Sequence, residues 1–541
     1  MKPKKDELLF LALGGSGEIG MNVNLYGTDG KWLMVDLGMT FSGQQYPGVD
    51  LVFADLEFIE ERREDLVGIV LTHGHEDHIG AIPYFADELG VPLYATPFTA
   101  RLIQEKLEEA GIVDEVELNV VDDLERFELG PFGVQYVPLA HSIAEGNALL
   151  IDTPHGRIFH TGDWKLDEEP VVGVPTSEEE LRAIGADGVL ALVCDSTNVF
   201  DTKASGSEGG VRRALDEEIL RHKGKRVLIT TFASNVARME TLGEVARDTG
   251  RQLCVAGRSL DRIIRIAQAS GYLKNFPETV DWDTAMGLPR GEVMIIATGG
   301  QGEPRAALSR IADGSHPISL EAGDVILFSS RQIPGNEIAI GAVMNKLAGD
   351  GIEMVTANQA AIHVSGHPGR PDLEALYEWI DPEIIVPVHG EMRHIVEHAR
   401  LGKDRGIRHQ VVQSNGDVVR LAPGKPGKIG VERSGRLILD GDIIAPADGE
   451  SIVMRRRLAE SGIVIVALDG KDARVSAIGL PLEEDMEDFL DEARNDVLAA
   501  LRKLKGGKAR DPEQRREAAR LAARRAAKRW SGKKPQVEVL V

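Results

Sequence analysis

"LTHGHEDHIG", residues 71–80, sets His73, His75, Asp77 and His78 within six positions, directly behind the apolar run "VGIVL". Neutral imidazole and carboxylate are zinc-ligand types. Donors at these offsets cannot share one helix face, so the pattern predicts a loop leaving a buried strand. One tetrahedral zinc takes three protein ligands and a water; four donors in one short loop therefore point to a two-metal centre.

Working outward, "LLFLAL", "NVNLYG" and "KWLMVDLG" read as strands, with "TDG" as the hairpin turn between the last two. Strand and helix patterns then alternate: "VGIVLTH" with "IPYFADEL", and "VPLYAT" with "PFTARLIQEKLEEAG". That rhythm predicts a layered α/β domain. A second α/β unit opens near residue 209, with "GGVRRALDEEILRHKG" and "NVARMETLGEVARDTG" as helices and "KRVLITTFAS", "RQLCVAG", "GEVMIIATGG" and "GDVILFSS" as buried strands. "GSGEIG", residues 15–20, matches a dinucleotide fingerprint, but an alternating hairpin pattern follows it where such a site needs a helix. It is set aside.

Further donors stand at the ends of apolar runs: His141 in "YVPLAHS", Asp163 in "IFHTGD" and His389 in "IVPVHGE". Strand ends are rigid platforms for a coordination sphere, and a carboxylate such as Asp163 can bridge two ions. His155, His222, His316, His394, His398 and His409 read as ordinary structural histidines.

"THGHEDHIGA", His141, "HTGD" and Asp36 in "MVDLG" resemble the motifs of the metallo-β-lactamase superfamily. "CDSTN" with Asp195, "HVSGH" with His363 and His367, and "PVHGE" with His389 are similar to the extra motifs of its β-CASP nucleases. "VCDSTNV", "TFASN", "SSRQIPGNE" and the ending "KRWSGKKPQVEVLV" most resemble the ribonuclease J family of bacteria. The resemblance implies a metallo-β-lactamase αβ/βα sandwich with an inserted α/β β-CASP domain and a small α/β C-terminal domain. It divides the chain into 1–208 and 370–447 (sandwich), 209–369 (insertion), 448–463 (linker) and 464–541 (an oligomerisation and RNA-associated domain). It also implies two zinc ions per subunit, with manganese or magnesium as in-vitro substitutes. One ion would sit on His73, His75 and His141, the other on Asp77, His78 and His389, with Asp163 between them.

By the same resemblance the chain is a ribonuclease with 5′→3′ exonuclease and endonuclease activity. It would prefer single-stranded RNA with a 5′ monophosphate and act in rRNA processing and mRNA decay, as a homodimer or homotetramer, with RNA-degradation partners possible. Asp195 would orient a ligating histidine, and His367 would stabilise developing charge or protonate the departing oxygen. His363, Val364, Ser365 and Gly366 form the turn that a phosphate approaches, since glycine opens the main chain. Ser234 and Asn235 in "TFASN" read alone as a helix N-cap; with the resemblance they help to hold RNA or its 5′ phosphate. The chain departs from the family at "SIAEGN" after His141 and at Pro368. The alternative is a hydrolase of small esters or thioesters on the same fold, which would need neither the insertion nor a basic tail.

The bulk properties fit. At 541 residues, 43% hydrophobic and 27% charged, the chain is globular and multidomain. A net charge of −24 argues against a general polyanion binder. Residues 502–534 nevertheless carry fourteen Lys/Arg against three Asp/Glu, either a solvated helix face or a local basic surface. Cys194 and Cys254 read as reduced core residues, and with no apolar run of about 18 residues the expectation is a cytoplasmic protein without membrane association.

Overall fold

The apolar run behind the histidine cluster is the strand Leu66–Val70, and the donors begin just beyond its end. The structure, a computed structural model, describes residues 1–43, 45–122, 125–333, 336–470 and 472–541. Pro334 and Gly335 of "SSRQIPGNE" lie outside the described residues. Two compact units are present, Met1–Thr40 with Phe53–Gly435, and Phe41–Val52 with Arg436–Val541.

In the first unit, Leu66–Val70 belongs to an eight-stranded sheet. Its order is Gly427–Val431, Asp417–Ala422, Leu8–Gly14, Val23–Thr28, Lys31–Val35, Leu66–Val70, Leu93–Ala95 and Leu118–Val120. The "TDG" turn is a tight hairpin: Thr28 pairs with Lys31, and Asp29 and Gly30 both take positive φ. A second, seven-stranded sheet runs Arg126–Leu129, Phe132–Pro138, Asn147–Thr153, Gly156–His160, Ala191–Asp195, Ile384–Val388 and His409–Gln410.

Side-chain alternation shows how the sheets stack. Ala191 and Val193, and Ile384, Val386 and Val388, join Phe10, Tyr26, Val35 and Val70 in the core between the sheets. Leu192, Cys194 and Ile385 point the other way, against Leu373, Leu376 and Ile380 of the helix Arg370–Ile380. On the first sheet, the helix Pro97–Ala110 packs against Leu93–Ala95 and Leu118–Val120. The layers are therefore helix, sheet, sheet, helix. "GSGEIG" forms no helix; its Ser16–Gly17 pairs with Gly390–Glu391 beside the histidine loop.

Between Asp195, which ends one strand, and Ile384, which begins its parallel neighbour, the chain builds another sheet. Its six parallel strands run Thr279–Val280, Gln252–Ala256, Val293–Ala297, Val227–Thr230, Val325–Phe328 and Glu353–Thr356. Covered on both faces, most of these strands read as unbroken apolar runs. Val227–Thr230, first in sequence, lies centrally. The chain moves to one side of it and later returns to the other, so the connections reverse direction at its carboxyl end.

The second unit centres on Ile463–Asp469, paired antiparallel with Asp472–Ile478 and parallel with Gln536–Leu540. Residues 448–463, read from sequence as a linker, instead carry the helix Glu450–Ser461. The alternating Leu and Ile residues that close such a helix against a sheet are scarce there, which hid it. The basic stretch holds the helix Pro512–Ser531, whose Ala519, Ala522, Ala523, Ala526 and Ala527 are buried at helical spacing. Several of its cations are paired, Arg529 with Glu492 and Asp496, and Arg520 with Glu517. Among the described residues no helix is long and apolar enough to cross a membrane.

Candidate metal centre

The expected donors all come from one edge of the sandwich. His73 and His75 follow Leu66–Val70, Asp77 and His78 lie in the short helix Glu76–Ile79, His141 follows Phe132–Pro138, Asp163 follows Gly156–His160, and His389 follows Ile384–Val388. Their ligand atoms converge in two groups sharing Asp163: His73, His75, His141 and Asp163, and Asp77, His78, Asp163 and His389, each within 4.8 Å.

In the first group the outward nitrogens are already engaged. His73 Nδ1–H donates to Thr72 Oγ1 at 3.0 Å and His141 Nδ1–H to the Gly366 carbonyl at 2.6 Å, while His75 Nε2 shares a hydrogen bond with Ser234 Oγ at 3.1 Å. His73 Nε2 and His141 Nε2 therefore present lone pairs inward, and His75 Nδ1 lies 3.1 Å from both. Burial keeps the rings neutral, His73 and His141 well below the ordinary imidazole value and His75 at about 4. Neutral imidazole nitrogens converging beside the Asp163 carboxylate are the donor set that a divalent metal takes.

The second group is anionic. His78 Nε2 lies 3.3 Å from Asp163 Oδ2, and His389 lies 3.2 Å from Asp77 Oδ2 through Nε2 and 2.9 Å from Asp163 Oδ1 through Nδ1. Burial opposes charge on both rings, yet the surrounding carboxylates hold His78 and His389 well above the ordinary value. Asp163 Oδ1 accepts no aligned hydrogen bond despite full burial. Protons on the histidines here balance the carboxylates, a role that a cation fills equally well.

Supporting groups surround both. Asp36 accepts from Thr72 N at 2.8 Å and from His78 Nδ1 at 2.7 Å. Asp36 and His389 adopt left-handed backbone, φ 65° and 51°, a strain of about 1–3 kcal/mol each that tends to gather at working sites. Gly38 is obligatory, since a Cβ there would lie 1.8 Å from the Asp77 carbonyl oxygen.

Asp195 bonds two histidines, His367 Nδ1 at 2.7 Å and, more weakly, His389 Nδ1 at 3.5 Å. Burial alone would lower His367; Asp195 and Asp163 raise it above the ordinary value. Ser365 Oγ accepts from Asn198 Nδ2 at 2.6 Å and from His367 N at 3.1 Å, so its own proton is left to donate. Gly366 lies so close that a Cβ would meet Ser142 Oγ at 2.8 Å, and the absence of one lets its carbonyl reach His141. Val364 packs over Gly206. His363 is held at about 3 by burial and by Arg238. Asn235 caps the helix Val236–Asp248 by accepting from Arg238 N at 2.8 Å, whereas Ser234 reaches His75. In "SIAEGN", Glu145 accepts from Phe98 N at 2.7 Å and Tyr272 OH at 3.0 Å, tying the sandwich to the insertion.

Sequence reasoning gave no role to Thr72, Asn22 or Thr197. Asn22 Nδ2 lies 3.1 Å from His78 Nε2, and Thr197 Oγ1 lies 3.2 Å from His389 Nδ1. The only signal is position: Thr72 directly precedes "HGHEDH" and Thr197 lies within "CDSTN".

A sandwich of this layering, interrupted by a parallel sheet and carrying this histidine–aspartate centre, defines a β-CASP hydrolase of the metallo-β-lactamase fold. The metallo-beta-lactamase superfamily model matches residues 17–188, and the Zn-dependent metallo-hydrolase RNA specificity domain matches 352–412. The ribonuclease J beta-CASP domain matches 224–347 and the ribonuclease J C-terminal domain 450–541. Ribonuclease J of Sinorhizobium meliloti is 43% identical over 552 residues, covering 99% of this chain and 97% of that protein. Ribonuclease J of Thermus thermophilus is 34% identical, over 92% of this chain and 89% of that one. A protein of unknown function from Enterococcus faecalis V583 shares the fold at TM-score 0.55 and 16% identity, over 76% of this chain and 100% of its own. This chain belongs to the ribonuclease J family.

Proposed function

We propose that this protein is a metal-dependent ribonuclease that hydrolyses RNA phosphodiesters at the constellation of His73, His75, Asp77, His78, His141, Asp163 and His389. The observation that carries the reading is the convergence of the ring nitrogens of His73, His75 and His141 beside the Asp163 carboxylate. Two zinc ions held there supply an activated water at neutral pH and positive charge for the oxygens of the displacement.

The chain's own residues do the rest. Thr72, Ser234 and the Gly366 carbonyl fix which nitrogen of each histidine faces inward. Asp195 engages His367 Nδ1, so the proton at Nε2 is the one that passes to the departing 3′ oxygen, leaving a 5′ phosphate and a 3′ hydroxyl. The Ser365 hydroxyl donates to a phosphate oxygen, with Asn198 holding the loop in place. Ser234, with His363, Val364 and Gly366, borders the place for the terminal 5′ phosphate; Asn235 serves it by capping the helix behind. The activity includes 5′→3′ exonuclease and endonuclease steps in rRNA processing and mRNA decay, by a cytoplasmic homodimer or homotetramer assembled through the second unit.

The test is cleavage of a labelled 5′-monophosphate RNA by His75→Ala, Asp77→Ala and Asp163→Ala, with metal content and product ends measured in parallel. Each variant loses cleavage, and wild-type protein retains two zinc per chain. Full activity in any of them, or turnover of a model thioester in preference to RNA, overturns the assignment.

A further inference from the structure

The carboxyl edge of the inserted parallel sheet encloses a cavity of about 490 Å³ that none of the seven candidate ligands lines. Its size falls within the range of about 300–1,000 Å³ usual for small-molecule sites. It opens where the strand connections reverse beside Val227–Thr230, the place where open α/β sheets take their ligands.

The walls have a consistent chemistry. Arg258 and Arg305 line the cavity, and among the described residues neither is engaged in an ion pair or hydrogen bond. The helix Arg258–Ala269 begins in the wall behind Gly257, and no side chain caps its first N–H groups. Thr231 is 4% exposed, lines the cavity, and has a buried Oγ1 with no hydrogen-bond partner. Two carboxylates are also present. Glu303 is engaged by Gln301 N at 3.0 Å, and burial pushes Asp261 up. Trp282 adds an aromatic surface to the lining: its indole N–H is fixed to the Val255 carbonyl at 2.9 Å, yet the residue remains 38% exposed.

We propose that this cavity binds a nucleotide, with the phosphate between Arg258, Arg305 and the uncapped helix start, the Thr231 hydroxyl donating to it, and the base lying against Trp282. Gly299, at φ 112°, lets the lining loop pack against Ala306 and Leu308, which a Cβ would meet at 3.1 and 2.9 Å. The cavity and the metal centre share one loop, since Thr231, Phe232 and Ala233 line the former while Ser234 touches His75. The proposal stands without the metal-centre reading.

The test uses full-length, metal-loaded protein and 8-azidoadenosine 5′-monophosphate, with crosslinked peptides mapped by mass spectrometry. The peptide containing Trp282 is labelled, AMP competes far better than adenosine, and His75→Ala labels as wild type does. Arg258→Ala/Arg305→Ala, two exposed positions, weakens labelling at least about tenfold, as the loss of a charge-assisted contact requires. Stronger competition by a 5′-hydroxyl oligoribonucleotide than by AMP makes the occupant a residue of an RNA strand; the reverse makes it a free nucleotide. Labelling confined to residues 363–367, equal competition by adenosine, or indifference to the arginine substitutions overturns the proposal.

Discussion

Replacing Asp36 by asparagine tests the metal centre without touching a candidate ligand. Asp36 is fully buried and holds His78 Nδ1 at 2.7 Å and Thr72 N at 2.8 Å. Asparagine has the same shape and tolerates φ 65°, so the backbone keeps its path. What goes is the anion. A charge-assisted bond worth about 1.5–3 kcal/mol becomes a neutral one worth about 0.5–1.5, a difference of about 1–1.5 kcal/mol. That predicts roughly tenfold weaker metal affinity, in line with the 10- to 100-fold effects of about this kind seen when an outer partner of a ligating histidine is changed. The assay is competition against a fluorescent chelator, with circular dichroism and a thermal melt as folding controls. RNA cleavage by Asp36→Asn falls at limiting metal and recovers when metal is raised. A folded variant with wild-type affinity would refute the claim that Asp36 positions His78 for an ion.

Other outcomes follow from the same contacts. His367→Ala lowers kcat by about 10²–10⁴ while metal content stays unchanged; lost metal would mean that His367 is a ligand instead. Lys165, 1% exposed, lies 2.7 Å from Asp167 and 3.9 Å from Glu208, and Lys165→Met destabilises the protein by about 3–5 kcal/mol in urea. Burial opposes charge on Asp167 and Glu208, but Lys165 holds Asp167, and Arg238 with Lys165 holds Glu208, below their usual values. Their contribution is present at neutral pH and disappears as pH falls below the ordinary carboxylate range of about 4, so the gap between variant and wild type narrows there. Ending the chain before Glu450 yields monomers by light scattering, and a surviving dimer would contradict assembly through the second unit.

Most of the sandwich could be read because its strands obey simple rules. "VCDSTN" and "IIVPVHG" are apolar runs that stop at a donor, and both end at the same sheet edge because they are parallel neighbours. Donor spacing at 73–78 was equally plain, since no helix or strand period produces it. The supporting groups were not legible: Asn22 and Thr197 meet their histidines only through folding, across 56 and 192 residues. The cavity beside Trp282 was invisible for the same reason, being assembled from four loops. The helix Glu450–Ser461 escaped notice because only Ile452 in it is buried, so no apolar stripe announced it.

The order of the donors along the chain has a consequence for synthesis. His389 follows the strand that closes the seven-stranded sheet beside Asp195, and the whole inserted sheet is translated between those two strands. A nascent chain that has emerged only as far as the insertion holds six of the seven donors but lacks the last one. On the proposed ligand set, a nascent chain is expected to gain full competence toward RNA only after residue 389 clears the exit tunnel.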